Sequence, residues 1–192
     1  MTPTMVLLVG LPGAGKTTRA RVLETGRPAL RLTPDEWMAP LFGAGDVAGS
    51  RDVLEGRLLS VGFRVLELGV DVVVDFGLWG RDERSALRSV GTALGARVEV
   101  EFLDVPADVQ WDRVHRRHRD DPAIEFAMTR DDLDGYRRRF EAPDAIELTG
   151  GPVPPPPAPD HDWAVWAVRR WPTLVLPGGD PVSAGGRTRP GR

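Results

Sequence analysis

The octapeptide Gly10-Leu11-Pro12-Gly13-Ala14-Gly15-Lys16-Thr17 constrains this chain more than any other feature. It follows a short apolar, β-rich run, Met5–Val9, and it opens a stretch from Thr17 to about Glu24 that reads as a helix. The spacing G-x-x-x-x-G-K-[ST] between a strand and a helix has one well-defined physical use. Glycines let the backbone turn so that successive N–H groups point inward at phosphate oxygens. The helix that follows presents its positive end to the same anion. Lys16 then reaches the β and γ phosphates, and the Thr17 hydroxyl is a ligand for Mg²⁺. We therefore expect ATP phosphates to lie along Gly10, Leu11, Pro12, Gly13, Ala14, Gly15, Lys16, Thr17 and Thr18. Of the 25 Lys and Arg residues only Lys16 is a lysine, so a compact charge on a flexible stem stands where the loop uses one.

The rest of the chain alternates strand and helix patterns. Ala29–Leu32 reads as a strand. Thr33-Pro34-Asp35-Glu36 opens a helix, with a capping Thr and Pro at the first helical position. Gly43 to Gly49 reads as a loop. Arg51 to Leu68 fits a long helix, with Val53, Leu54, Leu58, Val61, Val65 and Leu68 near helical spacing. Val70–Asp75 is a strand, Arg81 to Leu94 a helix, Arg97–Leu103 an alternating strand. Asp108 to about Arg119 and Arg130 to Phe140 are helices, and Ala145–Leu148 is a last short strand candidate. Strands alternating with helices predict a parallel sheet covered on both faces. Ligands in such sheets bind beyond the carboxyl ends of the strands, here the ends of the Met5, Ala29 and Val70 strands.

Four segments follow from the composition. Residues 1–149 form the nucleotide-binding domain. Residues 150–160, rich in proline, read as a semi-rigid linker. Residues 161–177 carry Trp163, Trp166 and Trp171 and have enough apolar surface to dock back, as a helix followed by the strand-like Thr173–Leu176. Residues 178–192 read as a disordered Gly/Pro/Arg tail. The 192 residues and net charge of −3 are ordinary for a globular protein. The absence of cysteine excludes disulfides and thiolate chemistry. No apolar run reaches the roughly 18 residues of a membrane span. The N-terminus reads as a first strand and not as a signal peptide, so a cytoplasmic location and no membrane partner are expected.

Two misreadings are set aside by the residues themselves. Asp75-Phe76-Gly77 lacks the H-R-D loop that accompanies such a triplet in protein kinases. A guanine reader of the Asn-Lys-x-Asp kind requires a second lysine, so a GTP switch is not expected.

The residues also resemble a known group, the small P-loop kinases around polynucleotide kinase, zeta-toxin-type kinases and chloramphenicol phosphotransferase. The likeness is closest to the kinase half of polynucleotide kinase and spans roughly Met5 to Phe140. It rests on GLPGAGKTT, LTPDEW, VVVDFGLWGRDER and FLDVPADVQWDRVHRR. It implies an α/β fold, a P-loop NTPase three-layer sandwich with a central, mostly parallel five-stranded sheet. It also implies a kinase that moves the γ-phosphate of ATP, with Mg²⁺, to a hydroxyl of a small molecule or a nucleic-acid 5′ end. An ATPase, or an ATP-dependent switch or binding module without a hydroxyl acceptor, is the alternative.

By the same resemblance Asp35 takes the proton from the acceptor hydroxyl, and Arg113 and Arg117 belong to a lid over ATP, with Arg117 in a catalytic role. Asp75 joins Thr17 at the metal, although Phe76 and Gly77 follow it where the resembled kinase carries small polar residues. Structural readings stand beside each. An acid in the first helical turn stabilises a helix dipole by roughly 0.3–1 kcal/mol. A strand-end Asp caps a turn. A basic cluster such as Arg113, Arg116, Arg117 and Arg119 also describes a solvated face, as does Arg137-Arg138-Arg139. Trp37 and Trp79, beside the two acids, serve either as pocket wall or as core.

Overall fold

The structure is a computed structural model that describes residues 2–43, 49–120 and 128–178. In chain order the elements are β1 (Thr4–Val9), α1 (Lys16–Gly26), β2 (Ala29–Leu32), α2 (Pro34–Phe42), α3 (Ser50–Glu67), β3 (Asp71–Val74) and α4 (Arg81–Ala93). There follow β4 (Arg97–Phe102), α5 (Ala107–Asp120), α6 (Arg130–Arg139), α7 (Ala145–Leu148) and α8 (Trp163–Arg170). The expected Gly43–Gly49 loop and the 178–192 tail fall largely outside the described residues. Among those described, no helix is long and apolar enough to cross a membrane.

The four strands form one parallel sheet in the order β2-β3-β1-β4. Central β1 pairs with β3 through Met5↔Val72 and with β4 through Thr4↔Arg97. Every residue of β1 is buried, as a strand covered on both faces requires. Its alternation divides the core. Met5, Leu7 and Val9 face the larger cluster with Leu59, Phe63 and Leu66 of α3 and Leu87 of α4. Val6 and Leu8 face Ala20 of α1.

The sheet has four strands among the described residues where five were expected. Ala145–Leu148 is a helical turn because Asp144 caps it: its carboxylate accepts from Glu147 N at 2.8 Å, and Glu147 Oε1 accepts from Asp144 N at 3.4 Å. Thr173–Leu176 is likewise no strand.

The buried face of α3 also differs from the expected one. Val53, Val61 and Leu68 are exposed, and the inward face carries Leu54, Glu55, Gly56, Leu59, Ser60, Phe63 and Leu66. Leu59, Phe63 and Leu66 bury it in the core, and close approach at Gly56 helps select it. A Cβ on Gly56 would lie 2.6 Å from Thr173 Oγ1 and 2.9 Å from Leu174 N. The C-terminal segment therefore packs directly on the α3 backbone. Trp163, Ala167, Trp171 and Leu174 complete the larger core cluster.

Candidate active site

The loop from Gly10 to Gly15 joins the end of β1 to α1, and its shape follows from its glycines. Gly13 and Gly15 adopt φ of 81° and 101°, a region L-residues avoid. The Lys16 ammonium lies across the loop, donating to Gly10 O at 2.8 Å and Leu11 O at 3.2 Å. Burial holds it below the usual lysine range, against the opposing pull of Asp75 and Asp35, while Arg117 and Arg51 add to the lowering. These five side chains thus share one electrostatic environment at the carboxyl ends of the strands. Thr17 lies one residue further along α1, and Thr18 is exposed on its first turn.

Helix α5 fixes the loop from outside. Gln110, fully buried, donates Nε2–H to Pro12 O at 2.9 Å. Arg113 Nη1 donates to Gly13 O at 3.3 Å and Ala14 O at 3.4 Å. Arg113 therefore sits on the loop itself, whereas Arg117 reaches the surroundings of Lys16 one turn later.

Asp75 follows β3 and is 2% exposed. Burial pushes its carboxyl above the usual carboxylate range, while the Thr17 hydroxyl, Lys16 and Arg31 draw it back down. Arg31 Nη1 lies 3.6 Å from Asp75 Oδ2, and Thr33 Oγ1 donates to the same oxygen at 3.4 Å. Thr33 does occupy the position before α2, yet its side chain makes no cap hydrogen bond. Its hydroxyl serves Asp75 and Arg31 instead. Phe76 turns into the core, so the Phe-Gly that departs from the resembled pattern is accommodated by packing.

Asp35 is the second residue of α2, with its side chain 68% exposed. Arg51 Nη1 donates to its Oδ1 at 2.8 Å across the gap between α2 and α3. Neither Arg31 nor Arg51 stood out in the sequence. Arg31 lies inside an ordinary strand pattern, and Arg51 is 16 positions from its partner with no motif around it.

The two tryptophans diverge. Trp37 is exposed, so it is not core. Trp79 is half-buried against Tyr136, with ring centroids 5.0 Å apart and Arg139 over both rings. The Arg137–Arg139 run is not one uniform solvated face, since Arg137 Nη2 donates to Val105 O at 3.2 Å.

A family described as an AAA domain matches residues 5–143. No curated protein matches the chain. Among solved structures, a candidate kinase from Chloroflexus aurantiacus J-10-fl is 20% identical over 89% of this chain and 99% of its own, with a TM-score of 0.56. A chain of the Pnkp1/Rnl/Hen1 RNA repair complex is 19% identical, with a TM-score of 0.56, over 72% of this chain and 44% of that one. The present chain thus spans less than half the length of that relative. The structure of APE1195 is 19% identical over 74% of this chain and 82% of its own, with a TM-score of 0.53. At these identities the likeness is one of fold, an α/β fold with a parallel sheet of the P-loop kinase kind.

Proposed function

The chain belongs to the AAA domain family, and from that membership we propose that it is an ATP-dependent phosphotransferase acting on a hydroxyl acceptor. The observation that carries this reading is the placement of Asp35. Its carboxylate acts on the Lys16 ammonium electrostatically and yet is 68% exposed. Its carboxylate is therefore open to solvent on the side away from Arg51. An acid so placed orients an alcohol and takes its proton as the new P–O bond forms, a contribution of typically about 10²–10⁴ in rate.

The remaining residues divide the other tasks. Loop N–H groups and Lys16 hold the phosphates, with Lys16 leaving the carbonyls of Gly10 and Leu11 that it now contacts. Arg117 answers charge on the transferring group with a planar guanidinium, and Arg113 ties α5 to the loop. The Thr17 hydroxyl acts on the Asp75 carboxylate and favours its charged form. They are hard oxygen donors of the kind Mg²⁺ takes, together with phosphates and waters. No cluster of three or more His, Cys, Asp or Glu among the described residues is placed to hold a metal alone. Bound Mg²⁺ would neutralise charge developing on the phosphates.

A nucleic-acid 5′ end and a small alcohol are both suitable acceptors. Likeness to a chain of an RNA repair complex favours the former; the net charge of −3 disfavours broad nucleic-acid affinity. The test is ADP release from ATP and Mg²⁺, with and without nucleosides, sugars and 5′-hydroxyl oligonucleotides, with Lys16→Ala as the blank. Acceptor-dependent release with a phosphorylated product by mass spectrometry is the expected result. Release indifferent to every acceptor favours hydrolysis or a nucleotide-controlled switch.

A further inference from the structure

Helix α3 carries Arg51 one turn ahead of Glu55, and both oxygens of the Glu55 carboxylate are engaged. Oε1 accepts from Arg51 Nε at 3.1 Å, and Oε2 accepts from Trp171 Nε1 at 3.2 Å. Arg51 then donates through Nη1 to Asp35 at 2.8 Å. Glu55 is 4% exposed and Trp171 fully buried. A continuous line of polar contacts therefore runs from the C-terminal core to the acceptor side of the site.

Trp171 lies beyond residues 5–143, the part of the chain that matches the AAA domain family. Its neighbours hold the same stretch of α3. Arg170 Nη1 pairs with Asp52 at 2.7 Å, Arg57 Nη1 donates to Thr173 O at 3.3 Å, and Val175 N donates to Ser60 Oγ at 2.8 Å. Arg170 also bridges to Glu83 of α4 at 2.7 Å.

This arrangement changes what the Arg51–Asp35 pair can do. An exposed ion pair alone is weak and its partners wander. Arg51 is instead gripped at Nε by a buried carboxylate that is itself held by an indole. Its remaining reach is set, and so is the direction from which it meets Asp35. Misplacing a reacting group by about 1 Å costs on the order of 10²-fold in rate.

We propose that Glu55, fixed by the Trp171 indole, is a positioning residue that holds Arg51 and through it orients Asp35, so that docking of residues 163–176 conditions phosphoryl transfer. The inference rests on the phosphotransfer reading above. Burial pushes the Glu55 carboxyl up to about 7; Arg51 on its own helix, the Trp171 N–H and Arg170 oppose this, and Glu83 of α4 reinforces it. Protonation of Glu55 near neutrality therefore loosens both contacts.

The test uses the full chain and two readouts. The first is a pH titration of the Trp171 Nε1–H and Arg51 Nε–H resonances by ¹⁵N NMR, which needs no acceptor. Both should titrate together near pH 7 in the wild type, and Glu55→Gln should abolish both titrations. The second is turnover with nucleosides, sugars and 5′-hydroxyl oligonucleotides. Glu55→Gln should lower kcat on the order of 10²-fold, leave KM for ATP unchanged and remove an ascending pH limb near 7. Trp171→Phe, which deletes the indole N–H, should act in the same direction but less. An Arg51 resonance indifferent to pH and to both substitutions overturns the inference. So does Glu55→Gln with wild-type kcat and pH profile. The wild-type titration stands even if a variant fails to fold. Wild-type protein that phosphorylates no acceptor, while the two resonances titrate together, defeats the phosphotransfer reading and with it the catalytic half of the inference.

Discussion

Arg84 and Glu147 form a two-pronged ion pair, Nε to Oε2 at 2.7 Å and Nη2 to Oε1 at 3.0 Å, with both side chains sealed from solvent. Arg84 Nη1 also donates to Leu78 O at 3.1 Å. The pair joins α4 to α7 and thereby places the chain's return toward α8.

Removing one partner strands the other charge. Glu147→Ala should lower stability by about 3–5 kcal/mol, whereas replacing both residues by apolar ones of similar volume should cost far less. Urea denaturation of the single and double variants checks this. Equal losses would mean the pair contributes only packing.

Lys16→Ala should abolish nucleotide turnover, because no other lysine exists to substitute. Asp35→Asn should lower transfer by about 10²–10⁴ while ATP binding stays intact. Calorimetric ATP titration beside a transfer assay separates the two. Unchanged transfer in Asp35→Asn would remove Asp35 from the chemistry.

Gly13→Ala should damage the loop locally. Its Cβ would meet Val114 Cγ2 at 3.0 Å and Gln110 O at 3.2 Å, at a φ of +81°. The left-handed backbone alone costs roughly 1–2 kcal/mol. A lower melting temperature together with weaker ATP binding is expected, and an unaltered ATP affinity would show that the loop tolerates the shift.

Stability should fall as pH rises from about 4.5 to 7. Glu55 has its carboxyl raised from an ordinary 4.5 to about 7 in the fold. The folded state therefore binds more protons than the unfolded chain across that window, so the slope is negative. The stabilisation is fully present below 4.5 and lost through 7. Asp75, also raised, acts in the same sense. Denaturant melts at a series of pH values should show the slope, and Glu55→Gln should flatten it.

What the sequence disclosed and what it hid have different physical causes. Lys16, Thr17 and the glycines were legible because phosphate geometry fixes their spacing along the chain. Asp35 was singled out by the resemblance alone, since an acid in the first turn of a helix is equally explained by the helix dipole. Arg51 and Glu55 were not, since their meaning depends on a tryptophan 116 positions after Glu55. The face of α3 is hidden from a count of apolar side chains, because that count passes over Gly56, whose missing Cβ admits Thr173 and Leu174. Thr33 has the residue type and place of a helix cap, yet its hydroxyl bonds Asp75 and Arg31 instead. Local preference lost there to a buried carboxylate in need of donors.

The docking of Trp163, Trp171 and Leu174 against α3 and α4 has a consequence for biosynthesis. The ribosome delivers the sheet and its first helices well before these residues emerge. Until they do, the nascent chain displays the greasy inner side of α3 and α4, and Glu55 faces water without its indole. Completion of the core and, under the proposed coupling through Glu55, orientation of Asp35 are then a single late event, so a half-made chain holds its glycine-rich loop before the contacts that reach Asp35.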